Sequence, residues 1–278
     1  MQREKMSLTD IATAANELAK LLEKAAPRGL NHPKHAQHVA PARRRIKAVM
    51  VHFFDRQRRA VLADVRPKIK RELLLYPSVK EASQNGKTFA RSLVPASLQP
   101  LSFAATGGER DEYDDAIVDL IGAAAKSLGA TAGADYASTY LRQNSLSKLT
   151  GELNSTSIER LQDAIANAWD EGGTYADIVA SIEDTFDDFT TQRAELIAQT
   201  EVNDAYNGAR AAIAESIGLD EKRWDPDGEA CPECQGNADA GWIDIGDDFP
   251  SGDDAPTAHP NCDCSIDFRK SDSDDEDE

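Results

Sequence analysis

The chain has 278 residues, 40% of them hydrophobic, and a net charge of −18, which allows one or two domains with a real core. Aromatic residues are only 6%, so that core must be built mostly from Ala, Leu, Ile and Val. No run of roughly 18 apolar residues exists to cross a membrane, and Met1-Gln-Arg-Glu-Lys leads into an amphipathic stretch rather than a secretion signal, so synthesis in a reducing cytoplasm is expected.

The acids are mostly Asp, 30 against 19 Glu, and Arg exceeds Lys, 18 to 13. An Asp-rich, Lys-poor surface suits a halophilic host, where salt screens self-repulsion. The charge is also uneven. Residues 43–71 hold eleven Lys/Arg against two Asp, whereas residues 220–278 hold twenty acids against four bases. Such asymmetry implies either two different partners or attraction between the two segments.

In chain order, Ser7 opens a predicted helix with Ile11, Leu18, Leu21 and Leu22 on one face, ended by Pro27 and Gly29. The stretch "NHPKHAQHVAP" reads as a polar loop. Its His32, His35 and His38 are spaced for a metal on a helix face, but Pro33 argues against the helix. Residues 1–40 are therefore read as an N-terminal helix and loop. From Ala42 a long basic helix is expected, with Ile46, Val49, Met50, Phe53, Phe54, Val61, Leu62 and Val65 at helical spacing and Pro67 kinking or splitting it. Its arginines form either a solvated face or a surface for an acidic partner. Prolines and the pair Gly107-Gly108 make 77–110 a loop or hinge, so 41–110 is read as basic helix plus hinge.

Residues 111–218 read as a helical body. Ile117, Leu120, Ile121, Ala124 and Leu128 make one stripe; Thr156-Ser-Ile-Glu159 reads as a capping box; Gly172-Gly173 is a stop and Thr174 the next cap. A longer helix spans about Thr191–Ile217, closed by Gly218. Beyond it the chain becomes turn-rich, and a module of this size needs a staple. Residues 219–268 supply one, followed by an acidic, disordered tail at 269–278. The expected fold class is mainly α: a long-helix body with a small, turn-rich, zinc-stapled C-terminal module.

All four cysteines belong to that module: Cys231-Pro-Glu-Cys234, then His259-Pro-Asn-Cys262-Asp-Cys264. Two thiolates from one tight turn and two or three N/S ligands from another can close a tetrahedron around structural zinc. Five candidates compete for four positions, so the ligands are either all four cysteines or three with the histidine. A catalytic zinc is not indicated. Zinc deaminases pair P-C-x-x-C with H-x-E, but Ala230 precedes Cys231 and no histidine begins H-x-E; H-E-x-x-H, G-x-S-x-G and a phosphate loop are absent.

"RAELIAQTEVNDAYNGAR" (193–210), "KRWDPDGEACPEC" (222–234) and "HPNCDC" (259–264) together resemble the phage Mu F-like head morphogenesis family, the minor head proteins of tailed viruses. The matching residues are Arg193, Thr200, Glu201, Asn207, Trp224, Cys231, Cys234, His259, Pro260, Cys262 and Cys264, over about 150–266. Asp263 departs from the family, which often has a basic residue there. The resemblance implies a structural, portal-associated minor head protein of the virion, made in the host cytoplasm with portal and major capsid proteins, and acting in head assembly or in DNA packaging or ejection. It implies no membrane and no small-molecule substrate. The alternative is a metal-dependent nuclease acting during packaging, with Glu201 as its acid–base residue.

Two further expectations concern contacts. Ile197, Glu201, Ala205 and Gly208 share one helix face, where the zinc module would dock with Trp224 over the joint and Glu201 accepting its backbone N–H groups. The basic helix would bind portal protein or another copy of itself through Phe53 and Phe54, with Arg58 and Arg59 pairing to acids around the seam. Packaged DNA ranks behind protein, because salt screens phosphate contacts more than apolar packing.

Overall fold

The computed structural model describes residues 33–75, 85–94, 105–130, 134–144, 146–228 and 230–271. In chain order the elements are α1 (Pro33–Leu75), α2 (Gly86–Leu93), α3 (Gly107–Ser127), α4 (Ala134–Gln143), α5 (Leu146–Asp170), α6 (Tyr175–Asp188), a π-turn (Phe189–Arg193), α7 (Ala194–Ser216), β1 (Glu221–Asp225), α8 (Pro232–Asp239), β2 (Trp242–Asp244) and β3 (Ser265–Arg269). The fold is mainly helical, with one three-stranded sheet of order β2-β1-β3. Among the described residues, no helix is long and apolar enough to cross a membrane. The helix expected from Ser7 and the tail beyond 271 lie outside the described residues.

The chain forms two compact units. One comprises 50–110 and 145–194; the other comprises 33–49, 111–144 and 195–271. In the first unit Phe53, Phe54, Val65, Ile69, Leu161, Ile165, Ile182 and Phe186 are buried. Phe89 stacks on Trp169 with ring centroids 3.7 Å apart, and Phe189 lies 5.3 Å from Phe54 and 5.4 Å from Phe186. Gly86 is required for the α2–α5 approach: a Cβ there would meet the Ala166 carbonyl oxygen at 2.3 Å. Its N–H donates to Asp170 Oδ1 at 2.7 Å. In the second unit the buried core includes Ile46, Ile117, Leu120, Ile121, Ala198, Val202, Ala205 and Tyr206.

Several expected boundaries move. The "NHPKHAQHVAP" segment is helix from Pro33 onward, because proline at a first helical position lacks only an N–H that would be unpaired anyway. His35 and His38 turn to the ring of Tyr206, at 5.3 and 5.8 Å. Helix α1 also runs unbroken through Pro41 and Pro67. Both prolines are exposed, as are Gln37 and Ala63, whose carbonyls lose their partners, so water can take the missing bonds. The expected hinge contains α2, capped by Asn85, whose side chain accepts from Thr88 N–H. Thr156–Glu159 lies inside α5 and starts no helix. Thr174 and Asp177 do form the expected capping box. Gly218, at φ 78°, ends α7, with Leu219 N–H on the Ala214 carbonyl and Gly218 N–H on that of Glu215.

Phe53 and Phe54 are wholly buried, which corrects their assignment to a partner seam: they are core residues that a partner cannot reach in this fold. The basic stretch is largely neutralised from within. Arg43 and Lys47 both pair with Glu195, and Arg45 pairs with Glu112 and Asp119; Arg56, Arg58, Arg66 and Lys68 pair with Glu109, Asp187, Glu183 and Asp64 respectively. Arg59 is exposed.

Glu109 is 1% exposed. It forms a capping box with Thr106 at the start of α3 and accepts from His52 at 2.7 Å and Arg56 at 3.0 Å. Burial alone would raise its carboxyl, but these hydrogen bonds outweigh burial and hold it at about 2, against an ordinary 4.5. A depressed carboxyl contributes stability that is present above the unfolded value and lost as pH falls toward the folded one. Glu109→Gln is therefore expected to remove about 3 kcal/mol at neutral pH. The gap between variant and native protein should close between pH 4.5 and 2, read from denaturant midpoints at each pH.

Candidate metal centre

The module is built on β1, the central strand, which runs antiparallel to β2 and β3 with Trp224 opposite Ile266. Its buried cluster is Trp224, Phe249, Ile266, Cys234, Cys262 and Cys264. Half of that core is cysteine, so apolar burial alone is a weak account of its stability. The expectation that Trp224 covers a joint with the body helix is corrected: it stands edge-on to Phe249, 5.0 Å away, inside the module. The long loop between the cysteine pairs is fixed by two buried polar residues. Lys222 donates to the Asp254 carbonyl at 2.9 Å and lies over the Phe249 ring. Asn237 exchanges hydrogen bonds with Ser251 at 2.9 and 3.0 Å.

Cys231 caps α8, its sulfur accepting the Cys234 N–H at 3.5 Å, with Pro232 in the first helical position. His259 Nδ1–H donates to the Pro260 carbonyl at 2.9 Å, which leaves the Nε2 lone pair facing inward. Nε2 lies 3.1 Å from Cys231 Sγ and 3.2 Å from Cys234 Sγ. Cys234 and Cys262 sulfurs are 3.8 Å apart. That spacing fits two sulfurs bonded at about 2.3 Å to one tetrahedral ion, which sets them about 3.8 Å apart. The five donors form two groups, Cys231–Cys234–His259 and Cys234–Cys262–Cys264, sharing Cys234, with the donor atoms of each group within 4.8 Å of one another. The cluster can hold a metal ion.

Its electrostatics ask for a cation. The Cys234 N–H pulls the Cys231 thiol down, and a hydrogen bond from Cys262 pulls Cys264 down to about 6. Burial pushes Cys234 up, and the bond to Cys264 together with burial pushes Cys262 up. Thiolates this close repel one another, and a bound cation is what allows all of them to ionise.

The module meets α7 through a face other than the one expected. Asn203 Nδ2 donates to the Cys262 carbonyl at 2.6 Å, Asn207 Nδ2 to that of Cys264 at 3.1 Å, and Arg210 Nη1 to that of Ile266 at 2.5 Å. Thr200 Oγ1 accepts from Asn261 N–H at 3.4 Å. Glu201 lies off this face and accepts from Tyr113 OH at 2.7 Å. The small residue on the Glu201 side serves α4 instead: a Cβ on Gly208 would meet Tyr136 Oη at 2.5 Å. Arg193 donates to Ser157 Oγ at 2.8 Å in the first unit. Pro260 contributes its carbonyl to His259.

Asn203, Arg210 and Lys222 were not singled out from sequence. Asn203 precedes Asn207 by four residues and Arg210 follows it by three, so the helical repeat places all three on one face. Arg43 was not singled out either. It is buried, donates to Glu195 Oε1 at 2.7 Å and Gln199 Oε1 at 2.6 Å, and pairs with Asp263 at 3.6 Å. Asp263 is thus an internal ion-pair partner.

The model of a family described as Phage Mu protein F like protein matches residues 159–267. No curated protein and no solved structure matches the chain. The matched segment runs from the second half of α5 through α7 and ends within β3, so it takes in the five metal donors and the helix face that holds them. Over residues 159–267 the chain is similar to the phage Mu F-like family.

Proposed function

We propose that the protein is a structural minor head protein of a tailed virus, acting in head morphogenesis beside portal and capsid subunits, with zinc as the structural ion of its C-terminal module. The observation that carries this reading is the family match over α7 and the donor cluster together. Zinc suits the donor set, since thiolates with one imidazole are its usual structural ligands. The role of Glu201 supports a structural reading over a nuclease: its carboxylate is engaged by the buried Tyr113. The internal pairing of the basic stretch favours a protein partner over packaged DNA, because charges already paired release few counterions on binding phosphate.

The test is coexpression of the tagged protein with the portal and major capsid proteins of the same virus. Co-elution with portal or assembled heads through gel filtration, carrying about one zinc per chain, is the expected result. A protein that elutes alone, and that cuts DNA when magnesium or manganese is added, would instead establish the nuclease.

A further inference from the structure

The turn that carries the last three metal donors is wired to the first half of α1. Asn203 is the hub. Its Nδ2 donates both to the Cys262 carbonyl at 2.6 Å and to Asp263 Oδ1 at 3.0 Å. Its Oδ1 accepts from His35 Nε2 at 3.2 Å. Asp263 in turn faces Arg43 Nη1 at 3.6 Å, and both side chains are more than 90% buried. Among the described residues the Nη1 atom makes no hydrogen bond, while the rest of the guanidinium is held by Glu195 and Gln199. His35 and Arg43 are eight residues apart on one helix, so the turn is tied to α1 at two points about two helical turns apart.

We propose that the His259–Cys264 turn is a latch on residues 33–49, and that metal occupancy, by fixing the turn, sets how firmly this half of α1 is held. The inference rests in part on the metal reading above. Its physical basis is that Asp263 and Arg43 have no water to fall back on. If the turn moves, the buried Asp263 carboxylate and the Nη1 edge of the Arg43 guanidinium lose their partners, and the least costly response is for the α1 segment to open.

Hydrogen exchange on the full-length protein tests this, in the native chain with and without a chelator and in Asp263→Asn, which alters no metal donor. Chelation is expected to speed exchange in 231–264 and in 33–49 together. Asp263→Asn is expected to speed exchange in 33–49 by about tenfold with metal content unchanged. Unchanged protection of 33–49 in Asp263→Asn overturns the latch, as does a chelated protein that loosens 231–264 alone. If the well-folded native chain carries no metal, the metal reading fails, and faster exchange in 33–49 of Asp263→Asn still establishes the latch by itself.

Discussion

Cys234→Ser is expected to abolish metal binding and unfold the module from 219 to 271, while the unit formed by 50–110 and 145–194 keeps its helices. Cys234 is the donor common to both groups of the cluster, so no set of four neighbouring donors survives its loss. A structural zinc site contributes on the order of 10 kcal/mol to folding, whereas the module's buried hydrophobic cluster holds only Trp224, Phe249 and Ile266 besides its cysteines. The measurements are elemental analysis and limited proteolysis. The variant should carry no metal, be cleaved between 219 and 271, and retain most of its far-ultraviolet helical signal. A metal-free variant whose module resists protease as the native one does would show that the sheet and the α7 contacts suffice.

Phe54→Ala should destabilise the first unit by about 3–5 kcal/mol, the usual cost of emptying a buried phenylalanine site. Phe54 is fully buried between Phe53 and Phe189, with ring centroids 5.5 and 5.3 Å away. The Arg193 guanidinium lies 5.6 Å from its ring. Burial and the neighbouring Arg160 lower Arg193 to about 10, so this cation depends on the aromatic faces around it. Arg59→Ala, on the exposed side of α1, should stay within about 0.5 kcal/mol of the native protein. Denaturant midpoints of the two variants decide the matter. A Phe54→Ala midpoint indistinguishable from that of Arg59→Ala would return Phe54 to the surface.

The cysteine module was the most legible part of the chain, because ligand chemistry fixes residue types and spacing without reference to the rest of the fold. The helical stripe at 111–128 was legible because apolar residues recur at the helical period, and the helix after Thr174 because its cap is local chemistry. Legibility ended where local rules were overridden from afar. Residues 77–110 read as a loop or hinge, yet Gly86 opens α2 there because only glycine lets it approach Ala166 of α5. Pro67 reads as a breaker, yet buried positions on both sides, Val65 and Ile69, hold α1 together. The partners of Arg43, and Phe189 against Phe54, lie more than a hundred residues away along the chain, and no window on the sequence could have shown that Phe54 faces inward while Arg59 does not.

Helix α1 gives its first half to one unit and its second half to the other, and this orders the events of synthesis. The unit of 50–110 and 145–194 has all its residues once position 194 has left the ribosome, whereas the unit holding 33–49 waits for 195–271. The residues needed first in the chain are thus used last. During translation Ile46 and its neighbours stand without their final partners, in a chain whose middle section is already able to fold. The candidate metal donors, confined to 231–264, come late in that sequence and belong to the unit that began it.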